Sequence, residues 1–363
     1  MDEQLYCEAM TDNAYTKQPN DATQNIGNGS YSTADPYVKK VWDGRYTGIR
    51  MCNELLENID RVPDLDPELK KRYIGEAKVL RAYNYYELYT KFGDIPYTTK
   101  VLSIKESMSI ARTAKATVIA NVLADLDEVI NGNYLPTSYD ADNKGRITRW
   151  AAMAIKAKIY LFEGNWTQVK NITSTIMTEG GFKLFGSYAG LFEIANEYNS
   201  EVILDAQYRP TSREHQMMYV FLPPTLGGYS QLSPLQELVD SYIMLDGKTI
   251  KETGTSFDES HPYANRDPRL KATVMYTGNS YTLADGTEVV INCEKGEGKD
   301  GYGVGSDCSA TGYYIKKYWD NTYRATLYSG LNPILIRYAD ILLMNAEALA
   351  ELGELDKTSW DAT

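Results

Sequence analysis

The sequence predicts a mainly α protein: a tetratricopeptide-like helical-repeat scaffold interrupted by a large, loop-rich insertion carrying short β-strands. Three observations lead there. Apolar and small residues recur at helical spacing both early and late in the chain. A helix-then-glycine pattern repeats, as Ala82…Tyr86…Gly93, Ala157…Leu161…Gly164 and Ala346…Ala350…Gly353. Between about residue 180 and residue 332 that periodicity gives way to Gly, Pro and short aromatic runs. The expected division is 1–179 as helical scaffold, 180–332 as insertion and 333–363 as the return helix of the scaffold.

Residues 1–36 read as a short helix followed by a polar loop, Gln24–Tyr31, rich in Asn and Gly. Tyr37–Arg61 is amphipathic, with Val41, Trp42, Tyr46, Ile49, Asn53 and Leu56 on one side and Pro63 beyond its end. Trp42 is therefore expected in the core. In the next helix Asp66 suits the N-cap and Pro67 the first helical position, where a missing N–H costs nothing. Tyr73, Ala77, Leu80, Asn84 and Leu88 make its expected buried stripe, with Tyr83, Tyr85, Tyr86 and Tyr89 thickening it. Gly93 stops it, and Pro96 prevents it from resuming. After a connector, Tyr97–Ala111, come a helix at Lys115–Ile130 and the alanine-rich segment Arg146–Gly164. The turn Gly164-Asn165-Trp166 leads into a helix at Thr167–Thr178. Such a hairpin buries its apolar face only by stacking on neighbours.

The insertion opens with β-prone pieces, Gly181–Leu184, Leu191-Phe192 and Glu201–Leu204. Arg209–Ser233 reads as long irregular loops, and Val274–Ile291 as a hairpin turning at Asp285-Gly286. Ile334–Gly353 returns to helix, with Tyr338, Leu342, Asn345 and Leu349 sharing a face. Arg337 and Asp340, one turn apart, are expected to pair.

Composition removes several function classes. The chain has 37 Lys+Arg against 49 Asp+Glu, a net charge of −12 that repels phosphate backbones, so nucleic acid is not an expected partner. No apolar run approaches the roughly 20 residues of a membrane span. The N-terminus, MDEQLYCEAM, lacks the basic start and apolar core of a signal peptide, so any export signal or anchor cysteine is expected upstream. Four cysteines carry no CxxC spacing; Cys52 reads as a small buried hydrophobe, and Cys293 with Cys308 flank a glycine-rich loop that a disulfide would close. With only His215 and His261, no Gly-x-Ser-x-Gly and no Walker sequence, no catalytic constellation or cofactor is read. The Gly301–Gly305 run fails the dinucleotide spacing and reads as a loop. A glycoside hydrolase stays open, since its two carboxylates about 5–9 Å apart leave no sequence signature.

Five segments carry a resemblance. Glu76-Ala77, Leu80–Tyr83, Tyr86, Leu88 and Phe92–Pro96 resemble a signature of the SusD/RagB nutrient-binding lipoproteins of the Bacteroidetes outer membrane. So do Trp42-x3-Tyr46-x2-Ile49-x3-Asn53, Ser233–Tyr242 with Asp246-Gly247, Asn265–Leu270, and Arg337–Asp340 with Asn345–Ala348. The resemblance implies a cell-surface protein without catalysis, which captures oligosaccharides and hands them to a SusC-like TonB-dependent transporter. It also implies a place on the outer face of the outer membrane, through a lipid anchor upstream of this chain. The family continues past the last helix here, so more chain is expected beyond Thr363. The competing reading of the scaffold is a peptide- or protein-binding helical repeat.

The expected ligand site follows from residue chemistry. Sugars offer C–H faces that stack on rings, and hydroxyls that need hydrogen-bond partners, which favours exposed Trp and Tyr beside Asn or Arg. The chain has 30 Tyr against 7 Phe, so many rings carry a polar handle. The densest such stretch is Tyr318–Arg324, holding Trp319, Asn321, Tyr323 and Arg324 and extended by Tyr328. Tyr229, in a Gly-rich loop, and Tyr31, in the early polar loop, are the further candidates. A core-capping role for Trp319 competes with the platform role.

Overall fold

A computed structural model describes residues 5–17, 22–322 and 326–361. They form two compact units, each assembled from separate pieces of chain: Lys39–Leu184, Tyr198–Asp205 and Ile334–Thr363 in one, Met1–Val38, Phe185–Glu197 and Ala206–Pro333 in the other.

The first unit is helical. Its long helices are α1 (Pro36–Asn58, within this unit from Lys39), α2 (Pro67–Phe92), α3 (Lys115–Asn131), α4 (Arg149–Phe162), α5 (Trp166–Glu179) and α6 (Tyr338–Glu351). The ends of α2 are set by the residues read from sequence. Asp66 accepts the Leu69 N–H at 2.8 Å, and Gly93, at φ +67°, takes the stop of α2. Thr148 and Asn165 cap α4 and α5 in the same way. Ala151, Ala152, Ala154 and Ala157 on α4 are completely buried, and these small side chains let α2, α3, α5 and α6 all pack on it. α6 therefore rejoins the early hairpins, with buried Asn345 donating to Thr173 Oγ1 on α5 at 2.9 Å. Trp42 lies half-buried in this core, edge-on to Phe92.

Four details differ from expectation. Leu80 is 45% exposed, while Ala82 is buried. The expected α2 stripe fails there because Ala77, Ala82, Tyr85 and Leu88 give the tighter packing surface toward α3 and α4. Ile334–Arg337 is a strand, antiparallel to Val202–Asp205, before α6 begins at Tyr338. Its β-branched alternation after Pro333 suits extended backbone. Arg337 pairs with the buried carboxylate of Glu201 at 2.7 Å instead of with Asp340. Asp340 is occupied as a cap, accepting the Arg337 backbone N–H at 2.8 Å. Gly190–Phe192, in the second unit, is a 3₁₀ turn where a β-prone run was expected, and Gly181–Leu184, at the end of a first-unit segment, forms no strand.

The second unit is loop-rich, with two-stranded pairings of two to three residues per strand: Ala14–Thr16 with Leu232–Pro234, Val274–Met275 with Tyr314–Ile315, and Ser280–Thr282 with Glu288–Val290. The last pair is the expected hairpin, turning at Gly286 with φ +83°. Met218, Phe221, Leu222, Met275, Tyr281 and Tyr314 form its core. Strands this short leave many carbonyls unpaired, and Arg266 answers several of them. Its guanidinium donates to the carbonyls of Val239, Tyr242 and Pro262 at 2.6–3.2 Å. The two segments Ser233–Tyr242 and Asn265–Leu270 are thereby fastened to each other. Cys293 and Cys308 are buried thiols and not a bridge; Cys308 Sγ donates to the Lys299 carbonyl at 3.2 Å. Burial pushes the Cys293 thiol up to about 12. No described helix is long and apolar enough to cross a membrane.

Candidate functional site

The segment after Tyr314-Ile315 runs Lys316-Lys317-Tyr318-Trp319 along one wall of a cleft of about 400 Å³ in the loop-rich unit. Phe192 stands opposite Tyr318 with ring centroids 5.1 Å apart. Trp319 is half-buried. Its ring edge packs on Tyr281, centroids 5.2 Å apart, and its Nε1 donates to the Thr282 carbonyl at 2.9 Å. The indole is thus held rigidly by the second core while part of it lines the cleft. Asn321 is exposed at the rim. With Thr322 it also borders a second concavity of about 640 Å³, lined by Pro224–Gly227, Leu283–Asp285 and Lys299. Both volumes fall in the range of ordinary small-molecule sites.

Asp320, which borders the first cleft, is buried. It accepts the Thr322 N–H at 3.0 Å and the hydroxyl of buried Ser329. Tyr323 and Arg324 lie outside the described residues.

A second aromatic group sits elsewhere in the same unit. Tyr219 and Tyr229 overlap with centroids 4.3 Å apart. Their hydroxyls share a hydrogen bond, and Tyr328, 41% exposed, lies within electrostatic reach of Tyr219 along with Asp307. The hydrogen bond to Tyr229, with the neighbouring Asp307 and Tyr328, raises the Tyr219 phenol above its ordinary range. Tyr31 is 54% exposed and lines neither cleft.

Three of the candidate aromatics, Trp319, Tyr229 and Tyr328, have a strained neighbour. Tyr318 precedes Trp319 at φ +63°, Ser230 follows Tyr229 at φ +41°, and Leu327 precedes Tyr328 at φ +56°. A non-glycine residue held there costs on the order of 1–3 kcal/mol, and such strain concentrates where a side chain must be aimed. The structure thus brings Trp319 and Asn321 to one cleft and Tyr229 and Tyr328 to one cluster. It adds Phe192, Lys271, Lys316 and Tyr219, which were not among the expected site residues, and places Tyr318, at the start of the expected stretch, in the cleft wall. The Lys316-Lys317 pair beside the aromatic run is a signal that sequence offers; the pairing of Tyr219 with Tyr229 is not.

The helical unit and the loop-rich unit, with a cleft walled by rings and amides, belong to a known class of helical-repeat binding proteins. Residues 191–362 match the model described as SusD family, and residues 1–161 match the model described as starch-binding associating with outer membrane. The fold superposes on a SusD-like carbohydrate-binding protein of Bacteroides fragilis with TM-score 0.87 and 26% identity, over 98% of this chain and 70% of that one. A second SusD-like protein of Bacteroides fragilis gives TM-score 0.85 at 26% identity, over 100% of this chain and 74% of that one. SusD-like protein P25 of Formosa agariphila is 32% identical over 196 residues, 51% of this chain and 37% of the relative. The chain belongs to the SusD/RagB family. It spans less than two thirds of the length of the curated relatives it matches.

Proposed function

We propose that this chain is the capture part of a surface glycan-binding protein that takes up oligosaccharides without transforming them. It delivers them to a TonB-dependent outer-membrane transporter of the SusC type. The observation that carries the reading is the cleft at Trp319. A rigidly held indole, Phe192 and Tyr318 provide apolar faces, while Asn321 and Thr322 provide amide and hydroxyl partners within one recess. Stacking plus hydrogen bonding in one place is what a sugar ring needs. Family membership supports both the ligand class and a place on the outer face of the outer membrane, held by a lipid anchor upstream.

Isothermal titration against a panel of oligosaccharides tests the capture step. Trp319→Ala is expected to weaken binding by about 2 kcal/mol, as for a hot-spot ring. Because Trp319 also packs on Tyr281, the exposed Asn321→Ala serves as the companion variant, expected to weaken binding by about 1 kcal/mol with stability unchanged. Affinity unchanged in both variants would place the ligand elsewhere, and release of reducing ends would replace capture with hydrolysis. Isolation from mild detergent without an associated barrel protein would count against the delivery step.

A further inference from the structure

The cleft at Trp319 is cationic in an acidic chain. Lys271, Lys316 and Lys317 all line it, although the whole chain carries a net charge of −12. Among the described residues neither Lys271 nor Lys316 forms an ion pair. Lys316 Nζ has one polar partner, the Asn279 Oδ1 at 3.1 Å, which leaves N–H donors of a half-buried ammonium for something else. Lys317 lies against rings, 4.0 Å above the Phe192 centroid and 3.4 Å from the Tyr188 hydroxyl.

Two carboxylates, Glu193 and Asp320, also line the cleft and leave the three lysines in excess, and among the described residues neither pairs with a lysine. Asp320 is taken up by Ser329 and the Thr322 N–H. Glu193 lines the cleft near Asn196 Nδ2, at 3.5 Å. Glu288 accepts the Ser280 and Thr282 hydroxyls and lies within electrostatic reach of Lys271 and Lys316 without pairing to either. Burial, together with repulsion from Lys271, pulls the Lys316 ammonium below its ordinary range, more than Glu288 restores. The half-buried Lys316 ammonium thus bears both desolvation and repulsion from the exposed Lys271. A bound anion would relieve both the desolvation and the repulsion.

We propose that the ligand of this cleft is an anionic oligosaccharide, its carboxylate or sulfate ester meeting Lys316 and Lys271 while a sugar face lies along Trp319. The inference rests on reading the cleft as the glycan site and adds the charge class of the sugar. The lysines recognise the anionic group shared by uronic acids and sulfated sugars, and the aromatic wall recognises the ring to which it is attached.

Titration of the purified chain with two matched pairs of probes tests this. One pair is an oligogalacturonide and its methyl ester; the other is a sulfated galactan oligosaccharide and its desulfated form. At least one anionic member should bind about tenfold or more tighter than its neutral partner, as for a charge-assisted hydrogen bond. That preference should shrink as salt rises from about 20 mM to about 200 mM. The pair that shows the preference identifies carboxylate or sulfate as the source. Lys271→Gln, at an exposed position, and Lys316→Met should each remove most of the preference. Equal binding of charged and neutral members, or a preference that survives both lysine variants, would overturn the charge assignment and leave oligosaccharide capture standing. Failure of these probes and of the whole neutral panel would overturn the capture reading itself.

Discussion

Each unit buries an arginine, and the two are used in opposite ways. In the helical unit Arg81 donates from Nε and Nη2 to Asp125 at 3.1 and 2.6 Å and from Nη1 to Asn53 at 2.9 Å, linking α2 to α3 and α1 through side chains. In the loop-rich unit Arg266 donates to backbone carbonyls. The difference follows from the backbone. Helices satisfy their own N–H and C=O groups, so a buried charge there is free to hold one helix against another. Loops leave carbonyls without strand partners, and a planar guanidinium with five donors can collect several of them at once. Burial without an ion pair has a cost: desolvation pulls the Arg266 guanidinium below its ordinary range.

The largest expected effect tests the first half of this contrast. Arg81→Met leaves the largely buried Asp125, 14% exposed, with only the more distant Lys78, 3.5 Å away, and Asn53 Oδ1 without this donor. A loss of about 3 kcal/mol in urea unfolding is expected, because one partner of a buried pair is left behind. The double variant Arg81→Met with Asp125→Leu should recover much of it. Failure to recover would mean that the arginine matters for its packing and not for its charge.

Arg266→Met should cost somewhat less, roughly 2–3 kcal/mol, since carbonyls that lose a donor near the surface can partly rehydrate. Its signature should be local. Limited proteolysis is expected to open within residues 242–266 before the helical unit is cut. Arg266→Lys should rescue only partly, since an ammonium cannot reproduce the fork. Uniform loosening of both units would erase the distinction drawn between the two arginines. Smaller again is Asp66→Ala, which removes one N-cap acceptor and should cost about 1 kcal/mol by the same urea measurement.

How much was legible follows the same division. Asp66, Pro67 and Gly93 act locally, within a few residues of the backbone they terminate, so their roles could be read from neighbours in the chain. In α2 the expected stripe holds at Ala77 and Leu88, and at Tyr85 and Tyr89 beside it, but fails at Leu80, which is exposed while Ala82 is buried. Arg337 was given the nearest carboxylate, yet Glu201 lies across a strand pairing that local sequence does not announce. In the loop-rich unit the strands are too short for period-2 alternation to register. Trp319 and Asn321 share a cleft because they are two residues apart. Phe192 and Lys271 reach the same cleft from distant segments that only the fold brings together.

The smallest expected effect concerns the exposed tyrosines, where the loop-rich unit differs most from the helical one. Tyr85 in the helical unit is buried, and its hydroxyl donates to the Thr98 carbonyl at 2.7 Å; burial is what raises that phenol. Tyr219 is raised while lying at the surface, and the first cause is its hydrogen bond with Tyr229. The sign is that of an acid favoured in its neutral form by folding. Its contribution to stability is complete below the ordinary tyrosine range and is lost as pH rises through the folded value. Tyr229→Phe keeps the overlapping ring and removes the partner hydroxyl. The Tyr219 titration should then move down toward the ordinary range, with the urea midpoint at neutral pH unchanged. NMR of ¹³Cζ-labelled tyrosine reads this directly, with Tyr219→Phe used to assign the resonance. A Tyr219 titration that stays raised in Tyr229→Phe would shift the cause to Asp307 and Tyr328. The pair would then be a stacked contact without a working hydrogen bond, and the contrast with Tyr85 would rest on nearby charge alone.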